Sequence, residues 1–166
     1  MAMPCSSLTD MHRVALALGS NLGEKASLLR KAIALINEKV GAIESCSAFI
    51  ASDPYGYESS NSYVNAALTV RTSLTPEALL LTTQAIEKAL GRRHKHRKGE
   101  SYTDRCCDID ILLYDELVIE TDELVIPHSD MQNRDFVLAP LASIAPHSMH
   151  PLLKKSILQL YRELCK

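Results

Sequence analysis

The sequence predicts an α+β fold, an antiparallel sheet with helices packed on it, and three observations carry that reading. Short stretches at 12–18, 43–51, 63–72 and 109–113 are alternating or β-branched and bounded by polar residues, as strands are. Two longer stretches, 25–40 and 76–90, repeat apolar residues at helical spacing, and a glycine, Gly41 or Gly91, closes each. Their order is strand, helix, strand, strand, helix, strand, followed by a C-terminal extension. Two split β-α-β units in that order form a ferredoxin-like sheet with helices on one face.

Each element has its own justification. Residues 1–12 read as a flexible leader and 13–166 as one domain. The first strand puts Val14, Leu16 and Leu18 on one face, and Gly19-Ser20-Asn21-Leu22-Gly23 then turns the chain, with Ser20 or Asn21 able to cap the next helix. That helix carries an apolar stripe through Leu28, Leu29, Ala32, Ile33, Leu35, Ile36 and Val40. After the strand at 43–51 comes a long polar and aromatic loop, 52–61, of a length that in a domain this size usually has a function. Thr75-Pro76-Glu77 is a strong helix start: a capping hydroxyl, proline at the first helical position and an acid in the first turn. The helix it opens buries Leu79, Leu80, Thr83, Ile86 and Leu90. Short strands at 117–119 and 124–126, a short helix at 136–142 and an amphipathic helix at 154–164 complete the chain.

Composition narrows the class. The net charge of −2 gives no global attraction to nucleic acid or membrane, and no run approaches the roughly 18 apolar residues of a membrane span. The first residues lack an apolar signal core. Five cysteines without C-x-x-C spacing suit reduced thiols in a cytoplasm better than a disulfide framework. Adjacent Cys106 and Cys107 would share one tetrahedral zinc awkwardly with His94 and His96.

The chemistry gathers at Arg105-Cys106-Cys107-Asp108-Ile109-Asp110-Ile111-Leu112-Leu113-Tyr114. On a strand, Asp108 and Asp110 point the same way with Cα atoms about 7 Å apart. Two carboxylates so placed repel each other unless cations sit between them, and they can straddle a pair of divalent ions of the two-metal kind. Cys107, Ile109, Ile111 and Leu113 form the opposite, core-facing row, with Leu112 and Tyr114 on the carboxylate face. Taken alone, Asp-x-Asp also decorates the wet face of many strands.

The preceding loop shifts that balance. Residues 91–105 contain Arg92, Arg93, His94, Lys95, His96, Arg97, Lys98 and Arg105, cations suited to phosphate. A charge run of this kind is otherwise a solvated face or a nucleic-acid patch. Cations beside paired acids favour a nucleotide triphosphate over a nucleic acid, whose backbone the acids would repel. The length and charge of the loop suggest a lid. There is no G-x-x-x-x-G-K-[ST] cradle and no G-x-G-x-x-G, so side chains and metals must hold any nucleotide. His128 and Arg134 add a histidine and a cation on a later loop, and Tyr55, Tyr57, Tyr63 and Asn65 can stack on and read a flat heterocycle.

With these stretches assembled, the chain resembles the 6-hydroxymethyl-7,8-dihydropterin pyrophosphokinase family. The resemblance rests on Ala17-Leu18-Gly19-Ser20-Asn21-Leu22-Gly23, Tyr63-Val64-Asn65-Ala66-Ala67, Arg105-x-x-Asp108-Ile109-Asp110-Ile111-Leu112 and Pro127-His128-x-Asp130-Met131-x-Asn133-Arg134-x-Phe136, in that order. It implies a ferredoxin-like fold and transfer of pyrophosphate from ATP to a pterin hydroxymethyl group, with two Mg²⁺ ions. It also implies roles for single residues. Asp108 and Asp110 would bind metal, with Arg92 and Arg105 beside them in catalysis. Glu87, Arg92, Lys95, Arg105, His128 and Arg134 would hold the nucleotide. Ser52, Pro54, Tyr55, Tyr63, Asn65, Tyr102 and Phe136 would form the pterin site. No nucleic acid or membrane partner is implied, and the expected state is a monomer, with a homodimer as the alternative.

The chain departs from the family pattern at Tyr102-Thr103-Asp104-Arg105, where Trp-Gly-Pro-Arg is usual, at His94 in place of an arginine, and at Ser129 in place of a tyrosine. Two other readings compete. A nucleotide- or RNA-binding module on the same frame would need aromatic residues on exposed central strands, and these strands lack paired aromatics. A metal-binding regulator would carry stoichiometric zinc.

Overall fold

Two central strands set the frame. In the computed structural model, which describes residues 11–20, 25–52, 63–91 and 107–166, β1 (His12–Ser20) and β4 (Tyr63–Thr72) pair antiparallel from His12 with Thr72 to Ser20 with Val64. β5 (Asp108–Tyr114) lies along the other side of β1, and β2 (Gly41–Cys46) along the other side of β4, giving the order β2-β4-β1-β5. Gly41 is required where the chain enters β2. A Cβ there would stand 1.9 Å from the Arg71 carbonyl oxygen, so any side chain would push β2 off its neighbour.

The single strand expected at 43–51 is two strands. β3 (Ile50–Ser52) pairs with β4 from Asn65 to Tyr63, beyond the end of β2. Ser47 causes the break. Its amide donates to the Ala67 carbonyl at 2.9 Å, and its Oγ takes the place of a backbone acceptor for the Ala67 amide at 2.8 Å. A side chain thus completes the ladder while the backbone leaves it.

One face of the sheet carries Val14, Leu16, Leu18, Ala66, Leu68, Val70, Ile109 and Ile111. Helices α1 (Lys25–Lys39) and α2 (Pro76–Ala89) close over it through Leu29, Ala32, Ile36, Leu79 and Ile86. α2 starts as its sequence predicts: the Thr75 Oγ1 accepts the Ala78 amide at 3.2 Å and Pro76 opens the helix. Leu79, Thr83 and Ile86 are buried as expected, Leu80 and Leu90 only partly, and Glu87 is buried as well.

Helices cover the second face too, which corrects the expectation of one helical face. α3 (Asp135–Ile144) and α4 (Ile157–Leu164) pack there through Val137, Leu138, Leu141, Ile157 and Leu160. The sheet offers Ala15, Ala17 and Ala67 at that point, and such small residues let α3 lie close to the strands. α4 begins at Ile157, later than the 154–164 expected, because Lys154 turns the chain at φ 58° and Ser156 caps the helix by accepting the Gln159 amide at 3.1 Å. The small hairpin of β6 (Ile119–Glu120) and β7 (Val125–Ile126) and a 3-10 turn, Met131–Asn133, link β5 to α3.

The faces expected for the end of β5 are also corrected. Ala15 pairs with Leu113 but Leu16 pairs with Ile111, so Leu112 is an extra residue in a bulge. Beyond it the alternation is reversed. Tyr114 joins the core with Ile109 and Ile111, while Leu113 packs with Leu112 beneath α3.

No helix among the described residues is long and apolar enough to cross a membrane. Several expectations lie outside the described residues: the leader up to residue 10, the turn at 21–24, Pro54, Tyr55 and Tyr57 in 53–62, and Arg92, His94, Lys95, Tyr102 and Arg105 in 92–106. The backbone of Ser52 belongs to β3. His12, at the edge of the expected leader, is the first residue of β1.

Candidate active site

The strand registers bring the polar residues into two adjacent rows on the second face. Asn65 pairs with Gly19, and Gly19 pairs with Asp108; one step further in, Ala67, Ala17 and Asp110 align in the same way. With strands about 4.8 Å apart, Asn65 and Asp108 stand roughly 10 Å from each other across Gly19. Gly19 keeps that span open. A Cβ there would lie 3.1 Å from the Asn65 Oδ1.

α3 covers the alanines but begins only at Asp135, so among the described residues no helix covers the outer row. The result is a cleft of about 620 Å³ lined by Ala17, Leu18, Gly19, Tyr63, Asn65, Asp108, Asp110, Asp130, Asn133, Arg134, Asp135, Phe136 and Val137. That volume lies within the range of small-molecule and cofactor pockets. The lining divides by chemistry. Asp108 and Asp110 lie at the β5 side, and Tyr63 and Asn65 at the β4 side. Arg134 and Phe136 come from the segment opening α3.

Both carboxylates are half-buried and open into this one cleft. Two hard oxygen donors on one rigid strand suit Mg²⁺, which binds through one or two carboxylates and completes its shell with water and substrate phosphates. Among the described residues no group of three or more His, Cys, Asp or Glu side chains is placed to hold a metal ion.

Asp130 and Arg134 are held by local hydrogen bonds. The Arg134 Nε donates to the Asp130 Oδ2 at 3.1 Å, and the Asn133 Nδ2 donates to the Asp130 Oδ1 at 2.9 Å. These contacts, first from Asn133 and then from Arg134, hold the Asp130 carboxyl below its ordinary range. The Arg134 guanidinium also lies 5.8 Å from the centre of the Phe136 ring. It is steadied at the cleft by an acid and an aromatic face.

Six of the expected site residues therefore meet at one cleft: Asp108, Asp110, Tyr63, Asn65, Arg134 and Phe136. Two others do not line it. His128 is half-buried, its amide donates to the Leu112 carbonyl at 3.0 Å, and its Nδ1 accepts the Asp130 amide at 3.3 Å. Glu87 is buried on α2, where its Oε2 accepts the Ile109 amide at 2.9 Å, between the two acids. Sequence reasoning gave no role to Asp130, Asn133 or Gly19. The first two were legible in the spacing Asp130-x-x-Asn133-Arg134, which puts a carboxylate three and four residues ahead of two donors. Gly19 was quoted as part of a turn, and only the register shows what its missing side chain leaves room for.

Paired carboxylates and a fixed arginine around one cleft, on an α+β frame, suit a transferase that handles a polyphosphate. The chain belongs to the 7,8-dihydro-6-hydroxymethylpterin-pyrophosphokinase (HPPK) family, whose model matches residues 15–146. It is 43% identical over 139 residues to a 2-amino-4-hydroxy-6-hydroxymethyldihydropteridine pyrophosphokinase of Porphyromonas gingivalis, covering 83% of this chain and 93% of that one. Enzymes with the same description in Bacillus subtilis (43% over 130 residues, covering 78% of this chain and 75% of that one) and Aquifex aeolicus (39% over 147 residues, covering 89% of each) are similar as well. The fold matches a crystal structure of Plasmodium falciparum HPPK-DHPS at a TM-score of 0.75 and 17% identity, over 92% of this chain and 44% of that longer one. The protein is accordingly a pyrophosphokinase of folate biosynthesis.

Proposed function

We propose that the cleft over β1, β4 and β5 is where a diphosphate passes from ATP to the hydroxymethyl oxygen of 6-hydroxymethyl-7,8-dihydropterin. The hydroxyl oxygen attacks the β-phosphorus in line, the bond from the β-phosphorus to the oxygen bridging the α-phosphorus breaks, and AMP leaves with the pterin diphosphate as product. The hydroxyl proton goes to solvent or to a carboxylate of the site. One observation carries the reading: Asp108 and Asp110 share a single cleft with Tyr63 and Asn65 of β4 and with Arg134 and Phe136 from the segment opening α3.

The division of labour follows from the side chains. Asp108 and Asp110 would hold two Mg²⁺ ions, which when bound neutralise and orient the phosphate oxygens. Arg134 offers a planar guanidinium to the same anion. Arg92, Lys95 and Arg105 are the further cations of the nucleotide site, His128 is its histidine, and Glu87 stands near it. Tyr63 and Phe136 provide faces for a flat ring, and the Asn65 amide can read a pterin edge that presents both donors and acceptors. Ser52, Pro54, Tyr55 and Tyr102 complete the pterin site. No serine, cysteine or histidine nucleophile is needed, since phosphoryl transfer of this type rests on positioning and charge neutralisation.

Residues 13–166 are proposed to act as one catalytic unit, monomeric and cytoplasmic, with small molecules rather than nucleic acid as partners. The test is product analysis with ATP, Mg²⁺ and 6-hydroxymethyl-7,8-dihydropterin. AMP formed in step with a pterin diphosphate is expected. ADP as the nucleotide product, or no turnover, would overturn the assignment.

A further inference from the structure

Among the described residues β5 stands last in the order β2-β4-β1-β5, with β1 as its strand neighbour. A metal platform on such a strand has a physical problem. Two like-charged side chains push on a strand that, among the described residues, pairs with β1 alone, and that strand contains a bulge at Leu112. The Ile109 amide lies between Asp108 and Asp110 in the chain. It donates to the Glu87 Oε2 at 2.9 Å, in a contact buried from solvent. Glu87 is 6% exposed and comes from α2, two residues before the helix ends at Ala89. An acid is costly to bury, and one placed on a backbone amide is a specific tether rather than filler.

We infer that Glu87 is a positioning residue: by accepting the Ile109 amide it fixes β5 between Asp108 and Asp110 and so sets the direction of both carboxylates. The inference rests on the reading that those two acids hold the metals. Glu87 touches neither reacting atom in this role. It acts through the backbone, as outer partners of metal ligands do when they orient the ligands themselves.

The experiment uses the full chain with Mn²⁺ as a spectroscopic stand-in for Mg²⁺ and a non-hydrolysable ATP analogue. Bound Mn²⁺ is counted by electron paramagnetic resonance, and exchange of the Ile109 amide is followed by NMR. Glu87→Ala should weaken Mn²⁺ binding by about 10–100-fold, the usual effect of removing an outer partner of a metal site, and should speed Ile109 exchange. Glu87→Gln keeps a carbonyl oxygen at the same reach and should recover most of both losses. A Glu87→Ala protein that remains folded with Mn²⁺ affinity unchanged would overturn the inference. So would a Glu87→Gln protein as impaired as Glu87→Ala, since charge and not the tether would then be at work. Asp110→Ala separates the two levels. If it binds Mn²⁺ as tightly as the native protein, the metal reading itself falls. If it loses Mn²⁺ while Glu87→Ala does not, only the role of Glu87 falls.

Discussion

The two faces of the central sheet are built from the same strands and do opposite work. On one, Leu16, Leu68 and Val70 meet Leu29, Ile36 and Leu79, all essentially inaccessible to solvent. On the other, the same strands present alanines beneath α3 and then, where α3 has not yet begun, Asn65, Gly19 and Asp108. Alternation along a strand makes this possible, because each strand can be apolar on one side and polar on the other without disturbing its hydrogen bonds. The difference teaches where function is affordable in this fold. A closed face supplies stability, and the partly covered face is free to place charges that repel one another.

The largest expected effect would break this comparison at its polar end. Asp110→Ala should lower turnover on the order of 10²–10³-fold or more, the scale of removing one preorganised charge-stabilising group. Thermal stability should hardly change, since the lost carboxylate contributes to no apolar cluster. Paired kinetics and melting curves check this, and near-normal turnover would contradict it. The opposite result is expected from the closed face. Leu68→Ala should cost about 2–5 kcal/mol in a denaturant titration while the folded fraction keeps its KM.

A finer test sits at the span between the rows. Gly19→Val should crowd the Asn65 Oδ1, which a single Cβ already approaches at 3.1 Å. The pterin KM should rise about tenfold, equivalent to ~1.4 kcal/mol, with a smaller change for ATP. An equal rise in both constants would mean that the strand had moved rather than one subsite.

The smallest effect concerns the cover of the second face, at the turn between α3 and α4. His150 is buried, and its Nδ1 accepts the amides of Leu152 and Leu153 at 3.2 and 3.1 Å. Burial holds its pKa below the ordinary histidine value. As pH falls below about 6.5 the unfolded chain takes up a proton that the folded chain resists. The stabilising contribution is therefore present at neutral pH and above, and is lost progressively on acidification. His150→Asn can still accept one of those amides and should flatten the decline in melting temperature between pH 7 and pH 5.

Much of the fold was legible because local signals and packing agree. The Thr75-Pro76 start of α2 and the limits of β4 needed nothing beyond the sequence. What was missed depends on contacts distant in sequence. Ser47 breaks a strand because its hydroxyl substitutes for backbone against Ala67, twenty residues away. The bulge at Leu112 appears only once β1 fixes the register, and it moves Leu113 and Tyr114 to faces that simple alternation does not give them. The second helical face was hidden for the same reason, since nothing local says on which side α3 and α4 must pack. At the site, Asp108 and Asp110 could be paired by strand periodicity alone. Their proximity to Arg134, and the tether from Glu87, required the tertiary structure.

The claim at the centre of this account is that cations gather on the polar face of β5. Amide line broadening by Mn²⁺ in the presence of a non-hydrolysable ATP analogue tests it most directly. Broadening should be strongest at Asp108, Ile109, Asp110 and Gly19, and absent at Leu29 and Ile36 on the far side of the sheet. Broadening centred elsewhere, or none at saturating nucleotide, would contradict the account.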